Sequence, residues 1–272
     1  MTTDKVRWYS KIFHNVSRRG SNNRWSTYLD EFHARNPGIT EDVLSRSHYG
    51  RLNPYQWLLA PVPKRGPVLD LACGSSPLFH VRKWQDWVGV DRSWAELERA
   101  NQRGVAPLIS GNATALPFPD ESFEAVVCSM AIMLLQPLGD VLAEIRRVLR
   151  PGGTAAFMLP GSMPLTASDL FFYSRLMVTL RQTHLAYPND WHLAHFSKVF
   201  RIGGFEMVSD IRARFEYQLV DDAAAQRFVD SLYLPAVASS RMVHAHRRAQ
   251  RRVGRAIGIP LRRIVVCKAP VQ

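Results

Sequence analysis

The chain has 272 residues, with 35 lysines and arginines against 23 acidic residues, for a formal net charge of +12. A hydrophobic content of 46% with 21% charged residues excludes a disordered or fibrous chain and allows one large domain with insertions, or two small ones. No apolar run is long enough to span a bilayer, and the N-terminus lacks the order of a secretory signal. Cys73, Cys128 and Cys267 lie in apolar runs without metal-ligand spacing. They read as buried thiols of a cytoplasmic protein, and no metal is expected. The charge permits attraction to nucleic acid, anionic lipid or a phosphorylated substrate, but most of the excess is local.

Residues 1–24 mix basic side chains with Trp8, Tyr9 and Phe13, as a lid or a mobile arm would. A helix is expected from Ser26 or Thr27 to the stop at Asn36-Pro37-Gly38. Thr40-Glu41-Asp42 reads as the cap and acidic first turn of another. Tyr55–Leu59 is a short apolar helix after the turn at Arg51–Pro54, so residues 1–60 form a helical N-terminal cap. The core, 61–272, opens with the strand Val68–Leu71, and Leu78–Trp84 is expected as a first crossover helix. A second strand ends at Asp91, and Ser93 caps the helix after it. Val105–Leu108 is a third strand, and Leu116–Asp120 is a proline-broken loop. Phe123–Met130 is a strand buried on both sides. Val141, Leu142, Ile145 and Val148 share one helix face, and Thr154–Leu159 is the next strand. Strand–helix alternation of this kind predicts a doubly wound, mostly parallel α/β sheet.

The pattern then changes. An apolar helix runs through Leu170–Leu180 with Ser168 as its cap, and another spans Trp191–Phe200. A strand follows Gly203-Gly204 to about Ile211, a helix follows Asp221-Asp222, and a basic helix covers 240–256. Arg263–Cys267 is the last strand. Helical insertions are therefore expected at about 161–199 and 217–260.

Two residues stand out chemically. Asp70 is a carboxylate at the end of a buried strand, which needs donors or a ligand. Asp91 closes the next strand, about 20 residues past a small-residue bend, where doubly wound folds place a ribose-binding acid. Together they point to an adenosine-type cofactor at a topological switch point. A nicotinamide site is disfavoured, because the Gly-x-Gly-x-x-Gly spacing fails and Pro77 crowds the helix start.

Several ordered motifs carry a family resemblance. They are Val68–Ser76, Gly89-Val90-Asp91, Gly111–Val126, Glu144–Gly153 and the turn at Gly204-Phe205. In this order they resemble the class I S-adenosylmethionine-dependent methyltransferases of the type 11-like group. The resemblance implies a Rossmann-like, seven-stranded, mostly parallel sheet with helical N- and C-terminal lid additions, and S-adenosyl-L-methionine as cofactor. It implies that Asp91, with Arg92 beside it, meets the ribose. Asp70, Ala72, Cys73 and Gly74 would meet the methionine part, and Asn112 and Ala113 the adenine. Cys128, Ser129 and Met130 would face the sulfonium and the acceptor. Ala72 stands where the family has glycine, Ser76 holds its third small position, and Asn112 stands where Asp is common.

A general base is needed only for a hydroxyl or protonated amine acceptor. His33 and His195, each in an expected lid helix, are the candidates, against the plainer reading of surface histidines. The 240–256 helix sets Met242, Ala245, Ala249 and Val253 against Arg241, Arg248, Arg251, Arg252 and Arg255. A solvated outer face is its simplest reading; phosphate, anionic lipid or RNA is the functional one. The Leu170–Leu180 helix is a lid, a homodimer contact or an apolar wall. The acceptor is then expected to be a small apolar or aromatic molecule. RNA is the second reading, weakened by the absence of aromatics between 240 and 260. A protein that binds without methylating is the third.

Overall fold

A computed structural model describes residues 19–269; the expected arm at 1–24 lies mostly outside them. In chain order the elements are α1 (Arg19–Arg35), α2 (Ile39–Leu44), β1 (Ser47–His48), α3 (Pro54–Leu59), β2 (Pro67–Leu71), β3 (Asp86–Asp91), α4 (Trp94–Gln102), β4 (Leu108–Ser110) and β5 (Phe123–Ser129). There follow α5 (Leu138–Val148), β6 (Leu149–Pro160), α6 (Ala167–Leu180), α7 (Asp190–Ala194), α8 (Phe196–Ile202), β7 (Phe205–Gln218), α9 (Asp222–Asp230), α10 (Ser239–Gln250) and β8 (Ala256–Lys268).

The sheet has eight strands in the order β1-β7-β8-β6-β5-β2-β3-β4. Strands β2 to β6 pair in parallel, whereas β8 runs antiparallel between β6 and β7. The eighth strand is a correction to the expected seven: Ser47 and His48 pair with Tyr217 and Glu216 at the edge. Parallel strands covered by helices must be apolar on both faces. Leu69, Leu71, Val126 and Cys128 accordingly enter one core layer, and Val68, Ala125 and Val127 the other. A third apolar cluster joins Phe172, Leu176 and Leu180 of α6 to α9, α10 and Tyr217.

Several boundaries differ from expectation for local reasons. No helix forms over Leu78–Trp84, only a 3-10 turn at Phe79–Val81. There the Trp84 indole donates to the carbonyls of Leu78 and Phe79, and Arg82 donates to those of Val62 and Pro63. The third parallel strand starts at Leu108 rather than Val105, because Pro107 has no N–H and the Val105 N–H bonds Ala100. The 191–200 helix is broken at His195 (φ −118°, ψ 30°). β7 and β8 extend well past the expected Ile211 and Arg263, since Ala213, Phe215 and Tyr217 keep alternating into the core. The basic helix consequently ends at Gln250. α1 starts at Arg19, not at Ser26 or Thr27. α2 is entered through Gly38 (φ 74°), with Thr40 inside it. Ser93 makes no side-chain cap for α4. Thr166, not Ser168, caps α6, in a reciprocal box with Asp169. Among the described residues no helix is long and apolar enough to cross a membrane.

Asp169 does more than cap. At 1% exposure it accepts from the Arg214 guanidinium of β7 (2.7 Å) and from the Gly258 N–H of β8 (2.8 Å), fastening α6 to the long hairpin. Burial alone would raise its pKa, but Arg214, Thr166 and Gly258 outweigh burial and hold the carboxyl well below the usual range. Replacing Asp169 with Ala leaves Arg214 with Glu216 alone and the Gly258 N–H without its acceptor, and is expected to cost about 3 kcal/mol at pH 7 by urea denaturation. A depressed folded pKa stabilises above the unfolded value near 4 and is lost as the pH falls below it, so the gap between variant and parent should narrow toward pH 2.

Candidate functional site

The C-terminal ends of β2, β3 and β5 open into a cleft where the sheet order reverses direction. After β2 the chain bends sharply through Ala72 (φ 53°), Gly74 (φ 55°) and Ser76 (φ 56°). Left-handed backbone is costly for Ala and Ser but free for Gly. The bend is tied down at two points. The Cys73 N–H donates to the Val90 carbonyl (3.0 Å), and the Gly74 N–H donates to Asp91 Oδ2 (2.8 Å). Asp91 Oδ1 accepts from the N–H of Ser93 (2.8 Å), the residue that precedes α4, while the Ser93 hydroxyl makes no cap. Burial pushes the Asp91 pKa up; the two N–H groups work against that rise.

The roof comes from the N-terminal helices. Glu96, in the first turn of α4, is buried and accepts from the Gly38 N–H through both oxygens (3.0 and 2.9 Å). It also bonds His33 Nδ1 (2.8 Å). The other ring nitrogen of His33 faces the Tyr233 hydroxyl at 3.5 Å. With the proton on Nδ1 toward Glu96, Nε2 is an acceptor for that hydroxyl. Burial pushes the Tyr233 pKa up, so its hydroxyl stays protonated. Glu41 accepts from Ser75 Oγ (2.6 Å) and from Arg103, which ties α2 to the bend and to α4. Arg92 pairs with Asp30 and reaches Ser26 Oγ (2.9 Å).

Of the residues singled out in the sequence, Ala72, Cys73, Gly74, Asp91, Arg92, Asn112, Ala113, Ser129, Met130 and His33 all line this one cleft. Asn112 Oδ1 is engaged by the Thr114 N–H (3.0 Å). Three residues stand elsewhere. Strand alternation turns Asp70 into the layer with Val68, where neither carboxylate oxygen has a hydrogen-bond partner. Burial, and then the charge of Asp91, push its pKa well up. Cys128 sits fully buried in the core below β5, with burial raising its thiol pKa. His195 is exposed at the α7–α8 break, with Nδ1 against the Trp191 carbonyl (3.0 Å). Glu96, Glu41 and Tyr233 line the cleft and were not found from sequence. Glu96 looks like any acid in a helix's first turn, and Tyr233 is 200 positions from the histidine it meets.

A second, larger cavity of about 700 Å³ adjoins the cleft. Its walls are mostly apolar, including Leu44, Leu159, Tyr173, Met177, Phe228 and Leu261. Thr40, Met130 and Tyr233 line both spaces and form the boundary between them. Met130 is itself left-handed (φ 56°) at the tip of β5. Among the described residues no group of three or more His, Cys, Asp or Glu could hold a metal ion.

A family model described as "Methyltransferase domain" matches residues 69–157. The chain is 37% identical over 103 residues to a 2-phytyl-1,4-naphtoquinone methyltransferase of Synechococcus elongatus, covering 34% of this chain and 44% of that protein. It is 32% identical over 169 residues to the demethylmenaquinone methyltransferase of Beutenbergia cavernae, covering 58% of this chain and 68% of that protein. It thus spans less than half of the first relative and about two thirds of the second. Among solved structures, the cyclase SpnF shares the fold with a TM-score of 0.54 at 15% identity, over 93% of this chain and 95% of that one.

Asp70 supplies a test of the core layer beneath β2. A carboxyl whose folded pKa is raised loses stability as the pH climbs from the unfolded value near 4 toward the folded one. Asp70→Asn, with no ligand added, should therefore gain on the parent by up to about 1.4 kcal/mol per pH unit over that window. Urea midpoints at pH 4, 6 and 8 measure it; a constant gap would mean that Asp70 ionises normally.

Proposed function

The chain belongs to the class I S-adenosylmethionine-dependent methyltransferases, and we propose that it transfers the cofactor's methyl group to a small, apolar, ring-bearing acceptor. One observation carries this reading: a cleft holding a ribose-type acid meets a more apolar chamber of about 700 Å³ across Thr40, Met130 and Tyr233. The quinones in the names of the two relatives agree with such a lining. We place the reaction in the cytoplasm, in keeping with three free cysteines. Residues 1–60 and the insertions at about 161–199 and 217–260 serve as the acceptor-side cap.

The residues fit the cofactor. The left-handed bend brings backbone close to any ligand there, and a side chain at Gly74 would enter that space beside Glu96. Asp91, fixed by two N–H groups, keeps lone pairs for ribose hydroxyls. Asn112 and Ala113 lie at the adenine end, and Ser129 and Met130 at the boundary with the acceptor. When bound, the cofactor supplies an electrophilic methyl group on a sulfonium.

The chamber aligns the acceptor's nucleophilic atom with that methyl, and alignment is a large part of the rate. The 72–76 bend, Asp91 and Asn112 would hold the cofactor while that methyl passes to the acceptor atom, with S-adenosylhomocysteine as the product left behind. The acceptor's hydroxyl or ring proton leaves toward Tyr233 and His33 Nε2, and Glu96 stabilises the imidazolium that results. The buried thiols of Cys73 and Cys128 have raised pKa values and remain protonated bystanders.

The experiment is S-adenosylhomocysteine formation over a panel of reduced 1,4-naphthoquinones and other ring hydroxyls, with cofactor binding followed by calorimetry. Asp91→Ala should weaken cofactor binding more than 10-fold, since it removes a charge-assisted partner and loosens the bend. His33→Asn and Tyr233→Phe should keep cofactor affinity while lowering kcat about 100-fold or more and flattening its pH profile. No cofactor binding to the parent would remove the proposal; binding without turnover on any acceptor would turn it into a non-methylating ligand protein.

A further inference from the structure

The outer face of the α6–α10 pair is unlike the rest of the surface. On α6, Phe172, Leu176 and Leu180 are buried, which turns Leu170, Ser174 and Val178 outward at four-residue steps with Phe171 and Arg175 beside them. Leu170 is 46% exposed, Phe171 60% and Val178 77%. On α10, Ala245 and Ala249 face inward, which leaves Val243 (48% exposed), His244, Arg247 and Arg251 outward. Arg248 leans across to α6 and donates to Thr179 Oγ1 (2.8 Å). Burial, and then the charges of Arg175 and Arg251, lower its pKa, so the two helices' guanidinium groups feel one another. Among the described residues, none of Arg175, Arg247, Arg248 and Arg251 forms an ion pair. An anionic surface would supply the counter-charge that no ion pair gives these side chains.

We propose that this face docks on an anionic phospholipid bilayer, with Phe171, Val178 and Leu170 entering the headgroup boundary and the arginines meeting lipid phosphates. A basic helix face interrupted by large apolar side chains is the chemistry of interfacial attachment. Charge alone would suit RNA equally. No aromatic lies between 240 and 260, the Phe171 ring on α6 already carries the Arg175 guanidinium (5.2 Å to the ring centroid), and the exposed aliphatic groups have nothing to gain from a phosphodiester backbone. The inner side of the same helix supplies the functional link. Tyr173 and Met177 of α6 wall the apolar chamber, so the helix that docks is also a wall of that chamber. An acceptor that partitions into lipid would then be taken up where it is concentrated. That last step rests on the chamber being the acceptor site, whereas the docking does not.

The test is flotation of the full chain with vesicles of phosphatidylcholine alone and with one third phosphatidylglycerol, at two salt concentrations. Binding is expected only with the anionic lipid and is expected to weaken with salt. Arg247→Gln with Arg251→Gln should lower the partition constant roughly 25-fold, at about five-fold per arginine. Phe171→Ser with Val178→Ser should lower it about ten-fold while leaving the charge unchanged. All variants change exposed side chains, and retained S-adenosylhomocysteine binding by calorimetry shows that each is folded. Equal binding to neutral vesicles, or loss in the arginine variant but not in the apolar one, overturns the proposal. So does tighter binding to RNA than to vesicles, or self-association of the chain through this face. Failure of the methyl-transfer reading is separate: it shows as loss of turnover, with lipid binding intact.

Discussion

One carboxylate sets the geometry on which the rest is built. Asp91 ends β3 and accepts N–H bonds from Gly74 on one side and Ser93 on the other. The first bond holds the bend after β2 against the tip of its parallel neighbour, and the second holds Ser93, the residue that precedes α4. Two adjacent strands, the turn between core and cleft, and a helix N-terminus are thereby brought to one point. Three left-handed residues in five positions would not persist in a free loop, where each non-glycine costs about 1–2 kcal/mol. They persist here because parallel pairing of Val68–Leu71 with Trp87–Val90 leaves the loop little alternative.

A second carboxylate closes the cleft from above. Glu96 stands one helical turn beyond Asp91, and its acceptors are taken by Gly38 and His33, 58 and 63 residues earlier. Gly38 must be left-handed (φ 74°) to present its N–H there, and the Arg99 side chain fills the space that a Cβ would need. The N-terminal helices are thus an integral wall of the site. The imidazole of His33 is oriented by the same Glu96 contact that docks them.

The strands and the motif order could be read from residues because they express short-range rules. A continuous apolar run means a strand buried on two faces, as over Ala125–Cys128, and prolines break Leu116–Asp120. Two of the motifs prove to be one physical unit. Arg147 bonds Glu144 (2.7 Å) and the carbonyls of Leu116 and Phe118 (3.0 and 2.7 Å), so the helix motif clamps the loop motif that borders the cleft. Asp91 and the 72–76 bend were readable for the same local reason. The His33–Glu96–Tyr233 arrangement was not: its members are distant in sequence, and each alone looks like an ordinary surface or core residue. Asp70 shows where a local reading of position and the strand period part. Its place next to the bend suggested a ligand contact, but the two-residue period of a strand turned it away. The crossover expected at Leu78–Trp84 failed because tryptophan and arginine side chains took the local carbonyls, a competition that periodicity does not register.

The segments between the core strands add a second space to the fold. The parallel half of the sheet ends at the cleft. Beyond it β7 and β8 outrun the sheet and carry α9 and α10 back over its edge. That overhang needs apolar filling beneath it, and α6 provides it through Phe172, Leu176 and Leu180. The same helix has a limited circumference. One arc seals the third cluster, one arc walls the chamber, and the remainder must face outward. A helix that was only a lid could keep that remainder polar at no cost to packing. Here it carries Leu170, Phe171 and Val178 beside arginines that form no ion pair among the described residues, and packing alone does not account for that choice.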